Sequence, residues 1–286
     1  MTNAVTIGIF DGVHKGHQAL LQAAQATGLS ALALTFDPHP ATLFSPARVP
    51  LLLGTVEERD ALLRAHGVDT VVIQPFDRAF AALTPDDFVR EVLLDGLNAG
   101  AIIVGEDFRF GCDRRGDISA LRQAGDRHDF KVIVVPPVFL DGTPVRSTTI
   151  RQLLSGGQTE AAARLLGRPY SLSGVVVRGR QLGRQLGFPT ANLAIPAGQL
   201  IPAPGVYAGR VGECLAAISV GVNITVDPDA APTVEAYLLD FFGDLYDQHL
   251  TFQFEKFLRP MQKFDGLDTL ISAIRADVET VRTTLA

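Results

Sequence analysis

Short apolar runs alternate with helix-like segments through the first half of the chain. AVTIGIF (4–10), ALALTF (31–36), DTVVIQPF (69–76), AIIVG (101–105) and KVIVVPPV (131–138) have the length and β-branched content of buried strands. Between them, HQALLQAAQA (17–26), VEERDALLRAHG (56–67) and PDDFVREVLLDGL (85–97) read as helices. The last carries a clear start signal, with Thr84 as N-cap, Pro85 at the first helical position and Asp87 in the first turn. Strand, helix, strand repetition predicts a parallel sheet with helices on both faces, whose ligands sit at the carboxyl ends of the strands where the strand order switches.

Near residue 168 the helical period stops for about a hundred residues. SGVVVRG (173–179), GVYAGRV (205–211), CLAAISVGV (214–222), TVEAYLLDF (233–241) and LTFQFEKFL (250–258) read as strands separated by Gly/Pro turns, the pattern of a small antiparallel β-barrel. The chain closes on a helix whose apolar face is Leu267, Leu270, Ile271, Ile274, Val278 and Val281. The expected class is therefore α/β followed by β, with one domain over residues 1–164 and a second over 165–286.

Composition narrows the function. Of 286 residues, 47% are hydrophobic and 20% charged, which is globular and not disordered. A formal net charge of −6 argues against general nucleic-acid binding, which needs a basic face. Arginines nevertheless gather locally, at Arg109, Arg114 and Arg115 and again at Arg178, Arg180 and Arg184. Local clusters in an acidic chain suit a small phosphorylated ligand. Cys112 and Cys214 are too few and too far apart for a disulfide framework or a zinc site. With no targeting pattern at the start and no apolar run of the ~18 residues a membrane span needs, a cytoplasmic protein without a membrane partner is expected. The sequence leaves the oligomeric state open, a homo-oligomer included.

Two stretches carry chemistry. GIFDGVHKGH (8–17) leaves a strand and enters a helix. Gly12 and Gly16 let backbone approach a ligand, and the helix start offers N–H groups and partial positive charge to phosphate oxygens. His14 and His17, three apart, can project toward the same phosphates and donate to oxygens that gain charge as pyrophosphate leaves. No further His or Cys lies near enough in sequence to suggest a metal.

RGRQLGRQLGFPTANL (178–193) is the stronger signal. Gly179, Gly183 and Gly187 predict a loop whose backbone can approach phosphates, and it is not a Walker loop because no G-K-[ST] follows. Thr190 and Asn192, two apart, point to one side of an extended segment and offer neutral oxygens to a hard cation such as Mg²⁺. Glu235, in the strand TVEAYLLDF, is the candidate base for a primary alcohol attacking a γ-phosphorus.

Taken with TFDPHP (35–40), GEDFRFGCDRRGD (105–117), VRSTTIRQLL (145–154), LLGRPYSLSG (165–174), GVN (221–223), DLY (244–246), FLRP (257–260) and KF (263–264), these motifs resemble, in order and over nearly the whole chain, the bacterial FAD synthetases that are bifunctional with riboflavin kinase. The resemblance implies a Rossmann-like nucleotidyltransferase domain followed by a riboflavin kinase barrel. Riboflavin, ATP and FMN would be the substrates, FMN and FAD the products, and Mg²⁺ the cofactor of both steps. It implies that Gly8, Phe10, Asp11 and Gly16, with Ser147, Thr148 and Arg151 at another helix start, surround the ATP that donates AMP. It places Gly179, Gly183, Gly187, Thr190 and Asn192 around the ATP of the kinase, and the flavin near Asp107, Phe108, Arg109 and Arg259. Simple packing is an equal reading for Phe108 and Phe110. Three positions depart from the family pattern: Arg146 stands where a serine is usual, Tyr237 where His is common, and Met261 where Glu is usual. Two alternatives stay open, an H-x-G-H domain acting on phosphopantetheine or nicotinate mononucleotide, and a flavin-binding regulatory protein with one or both activities lost.

Overall fold

The computed structural model describes residues 2–179, 183, 186–221 and 232–285. Packing divides the chain into two compact units, Met1–Ser147 and Thr148–Ala286. Helix Thr159–Leu166, with Ala162, Leu165 and Leu166 buried, packs on two barrel strands of the second unit, Tyr170–Val177 and His249–Arg259.

The first unit is built on a five-stranded parallel sheet: β1 (Asn3–Ile7), β2 (Ser30–Asp37), β3 (Thr70–Pro75), β4 (Ala99–Gly105) and β5 (Lys131–Val135). The strand order is β3-β2-β1-β4-β5, with Val5 paired to both Leu32 and Ile102. The direction of winding reverses between β1 and β4, so the segments that leave those two strands meet at the crevice where such folds bind ligands. Period two sorts the side chains. Val5, Ile7, Leu32, Leu34, Ile102 and Val104 form one face of the sheet with Leu121 and Ala124 of the helix Ile118–His128. Ala4, Ala31 and Ala101 form the other, and these small residues pack against Ala24 of α1 (Lys15–Gln25).

The helix expected over 85–97 starts as expected, with the Thr84 hydroxyl accepting from the Asp87 N–H at 3.1 Å. It is α-helical only over Pro85–Asp87 and continues as a π-helix over Phe88–Gly96. Phe88, Val89 and Leu93 are its buried residues. Helix α3 (Val56–Ala65) begins with a full capping box, the Thr55 hydroxyl accepting from Glu58 N–H and the Glu58 carboxylate from Thr55 N–H.

The second unit is a closed six-stranded barrel in the order β10-β11-β12-β9-β8-β13, every described pair antiparallel. Here β8 is Tyr170–Val177, β9 Ala191–Ala194, β10 Gly205–Val211, β11 Cys214–Gly221, β12 Thr233–Leu238 and β13 His249–Arg259; β6 (Phe139–Leu140) and β7 (Thr143–Pro144) form a small hairpin in the first unit. Strand β9 closes the barrel between β8 and β12. Tyr170, Leu172, Tyr207, Ile218, Phe252 and Phe254 are wholly buried in this unit. The two tyrosines keep their hydroxyls satisfied by donating to the carbonyls of Leu200 and Ala203. Burial pushes the Tyr207 phenol up to about 12. The terminal helix Leu267–Leu285 covers β10 and β11, with Val278, Val281 and Leu285 against Ala208, Leu215 and Ala217. Its expected face is only partly used, since Leu267 is 57% exposed.

Candidate active sites

In the first unit, the carboxyl end of β1 runs into a loop of unusual conformation. Phe10, Gly12 and Val13 all have positive φ, at 52°, 79° and 39°. For a β-branched valine that is a genuine outlier, and such strain persists only where the surroundings over-determine it. Here they do. Phe10 and Val13 are fully buried in a cluster with Leu21, Ala33, Leu63 and Val68. Asp11 Oδ1 accepts from the Leu53 N–H at 2.8 Å, and the Asp11 carbonyl accepts from Ser147 Oγ at 3.0 Å.

The loop delivers the histidine pair to the start of α1. His14 is the N-cap, its Nδ1 accepting from the His17 N–H at 3.2 Å. An accepting Nδ1 is unprotonated, so a neutral His14 carries its proton on Nε2 and presents a ring donor there. The His14 and His17 rings stack at 3.6 Å, and Phe10 meets the His17 ring edge-on at 5.2 Å. Burial, and secondarily the neighbouring His14, hold the His17 pKa well below the usual imidazole value, so His17 is neutral at pH 7. Its Nδ1 is buried without a hydrogen-bond partner among the described residues. Gly16 makes the arrangement possible: a Cβ there would lie 3.1 Å from the His14 ring and 3.1 Å from the Val145 carbonyl.

The expected ATP-side residues divide by position. Gly8 lines an open cleft of about 840 Å³, together with Ile9, His39, Asp107, Phe108 and Arg109. Phe10 and Asp11 lie beneath the loop, as packing and as a tie to Leu53, because their side chains point into the unit and away from the cleft. Ser147 and Thr148 begin the helix Ser147–Ser155, with Arg151 one turn in. Asp107, Phe108 and Arg109 follow β4, so the reversal of winding brings them and Gly8 to one cleft. The lining is rich in phenylalanine, including the Phe108–Phe110 stack at 5.5 Å, which suits a planar aromatic ligand. Arg109 is half-exposed and pairs with Asp117 at 3.1 Å. Of the first arginine cluster, Arg114 also lines the cleft, whereas Arg115 pairs with Asp113 at 3.2 Å.

In the second unit, the strand pairing assembles what the sequence keeps 45 residues apart. Glu235 stands directly opposite Asn192 in the β12–β9 ladder, so the two side chains share a face. Thr190 Oγ1 donates to Glu235 Oε2 at 3.1 Å. With its proton committed to the carboxylate, the threonine oxygen keeps its lone pairs for a cation. Thr190, Asn192 and Gly179 line a second cleft, of about 260 Å³, with Asp244 and Tyr246. A Cβ at Gly179 would lie 2.5 Å from Asn192 Oδ1, so only glycine leaves room for that amide. Gly183 and Gly187 are not among the residues that line this cleft; the Phe188 N–H donates to the Gly183 carbonyl at 2.8 Å, and Arg180 and Arg184 lie outside the described residues. Arg178 lies over the Tyr246 ring at 5.2 Å.

Arg259, expected near flavin, is engaged elsewhere. Its Nε and Nη2 donate to Asp277 Oδ1 and Oδ2 at 2.8 and 2.7 Å, and its guanidinium lies 5.8 Å from the Phe264 ring centroid. A bidentate pair with the terminal helix explains an arginine at the end of β13 without a ligand. The unusual Tyr237 meets Phe188 edge-on at 5.3 Å, and Met261 is 48% exposed. No cluster of three His, Cys, Asp or Glu side chains able to hold a metal occurs among the described residues. No helix among them is long and apolar enough to cross a membrane.

The comparisons follow the same division of the chain. The family described as FAD synthetase matches residues 1–149, and the family described as riboflavin kinase matches residues 166–285. The chain belongs to the bifunctional riboflavin kinase/FMN adenylyltransferase family. A family member from Pseudomonas fluorescens is 40% identical over 97% of this chain and 91% of its own length. One from Listeria monocytogenes is 35% identical over 99% of this chain and 92% of its own. A solved structure from Streptococcus pneumoniae, described as a macrolide-efflux protein, has the same architecture, with a TM-score of 0.89, 33% identity, and coverage of 98% of this chain and 94% of its own. Both halves of a riboflavin kinase/FMN adenylyltransferase are thus present in one chain.

Proposed function

We propose that the second unit transfers the γ-phosphoryl group of ATP to the ribityl hydroxyl of riboflavin, and that the first unit joins the resulting FMN to AMP from a second ATP, giving FAD and pyrophosphate. The observation that carries the reading is the pairing of Glu235 with Thr190 and Asn192 on one barrel face, on a chain whose other unit presents a stacked histidine pair at a helix start.

In the kinase unit, Glu235 takes the proton of the flavin hydroxyl as its oxygen bonds to the γ-phosphorus and ADP leaves. Gly179 lines the cleft that takes the nucleotide, beside Thr190 and Asn192. Thr190 and Asn192 would hold Mg²⁺: their neutral oxygens, in a cleft that Asp244 also lines, suit a hard cation that takes its remaining ligands from phosphates and water. When bound, the ion offsets charge between the reacting anions.

In the adenylyltransferase unit, a phosphate oxygen of FMN attacks the α-phosphorus and pyrophosphate departs. The flavin ring occupies the phenylalanine-lined cleft beside Asp107, Phe108 and Arg109. His14 and His17 donate to the oxygens that gain charge, and Ser147, whose hydroxyl holds the Asp11 carbonyl, fixes the loop that carries them. The neutral His17 imidazole serves, because N–H donation requires no net charge. Arg259, in the other unit, is held by Asp277 with its guanidinium beside Phe264.

The test is chromatography of flavins after mixing the purified chain with riboflavin, ATP and Mg²⁺. FMN should appear first and FAD after it. Riboflavin held tightly without conversion would favour a binding protein instead.

A further inference from the structure

Arg59 is a buried arginine that neither motif contains. It lies in α3 with 7% of its surface exposed. Its Nη1 donates to the Ile9 carbonyl at 2.8 Å and its Nη2 to the Phe36 carbonyl at 3.1 Å. The Ile9 carbonyl also accepts from Thr35 Oγ1 at 3.1 Å. Ile9 is the last residue before the strained turn, and Phe36 is near the carboxyl end of the adjacent strand. One guanidinium therefore ties together the two strand ends from which the histidine loop and the TFDPHP segment depart.

Burial of a cation needs a reason. Desolvation draws the Arg59 pKa below its ordinary value, and the fields of Asp11 and Asp37 oppose that shift. Nε has no hydrogen-bond partner among the described residues, so packing at this site does not satisfy the arginine fully. Its two bonds go to backbone carbonyls that line or adjoin the 840 Å³ cleft, and the chain between them and His14 contains Phe10 and Val13 at positive φ. A loop in that conformation relaxes unless its entry point is held.

We infer that Arg59 is a positioning residue for adenylyl transfer, holding the Ile9 carbonyl so that the loop presents His14 and His17 in register. The inference rests on the assignment of adenylyl transfer to the first unit. It makes no claim that Arg59 touches substrate.

The test compares Arg59→Met and Arg59→Lys with the unaltered chain, measuring kcat and KM for FMN-to-FAD conversion and for riboflavin phosphorylation. A loop displaced by about 0.5–1 Å should lower kcat for FAD formation by about tenfold to a hundredfold in Arg59→Met. KM for FMN should move less than kcat, and the kinase step should be unchanged. Arg59→Lys keeps the charge and one donor nitrogen in place of two, and should recover part of kcat. If Arg59→Met does not fold, Arg59→Lys decides alone: a reduced kcat with FMN affinity intact supports the role, and a wild-type kcat overturns it. Equal losses in Met and Lys would also overturn it, since size and not hydrogen bonding would then matter. If the unaltered chain makes no FAD, the assignment of the first unit fails instead.

Discussion

Replacing Gly16 with alanine probes the histidine geometry with a single methyl group. The residue lies in the first turn of α1 with ordinary helical φ, so the backbone accepts alanine, and helix propensity favours it by up to about 1 kcal/mol. The obstacle is spatial. The new Cβ would sit 3.1 Å from both Cε1 and Nδ1 of His14, with the Val145 carbonyl at 3.1 Å preventing retreat. Reaching ordinary contact at 3.4 Å requires a ring shift of about 0.3 Å. Misplacement by 1 Å costs roughly a hundredfold, or about 2.7 kcal/mol, so 0.3 Å corresponds to about 0.8 kcal/mol and a three- to fivefold fall in kcat. The shift also lengthens the 3.2 Å cap to His17 N–H, which offsets the gain in helix stability. Initial rates of FAD formation at saturating FMN and ATP should fall by that factor, with the melting temperature within a few degrees of the parent and riboflavin phosphorylation unaltered. A wild-type rate in the alanine variant would show that the His14 ring position does not matter to the reaction.

Glu235→Gln should abolish FMN formation yet spare conversion of supplied FMN to FAD; loss of both activities in a folded variant would contradict independent sites. His17→Ala should stall the pathway at FMN, as read by flavin chromatography, and unchanged FAD accumulation would remove the histidine from the reaction. Asp277→Ala leaves Arg259 without its bidentate partner at a pair only 21% and 11% exposed, and should destabilise the second unit by about 2–3 kcal/mol in urea unfolding. Because His17 is held neutral when folded, the unfolded chain binds more protons below pH 6.5. The stability contribution is therefore complete above pH 6.5 and is lost as pH falls below it. Thermal melts of the parent should decline in that window more than those of His17→Gln; parallel pH profiles would refute the assigned environment.

Much of this molecule was legible before its fold. Strands with β-branched runs and helices with capped starts are local events, so the sheet strands, the Thr84 cap and the barrel strands β8, β10, β11, β12 and β13 could be read to within a few residues. The motif residues His14, His17, Thr190, Asn192 and Glu235 stood out because their types and short spacings already suggest phosphate and cation chemistry. Strand β9 was harder: Ala191–Ala194 is four residues long and follows a proline, and only its two neighbours make it a strand.

What the chain could not announce is whatever depends on partners far along it. Period and spacing mark Arg59 as one more charge in VEERD, yet the fold buries it against carbonyls 50 and 23 residues away. Nothing near Arg259 in the sequence marks Asp277, 18 residues on, as its bidentate partner. The positive φ of Phe10 and Val13 is likewise a consequence of what surrounds them. Local propensity is written in neighbouring residues, whereas the worth of a buried charge or a strained turn is set by long-range contacts that exist only once the sheet and barrel have closed.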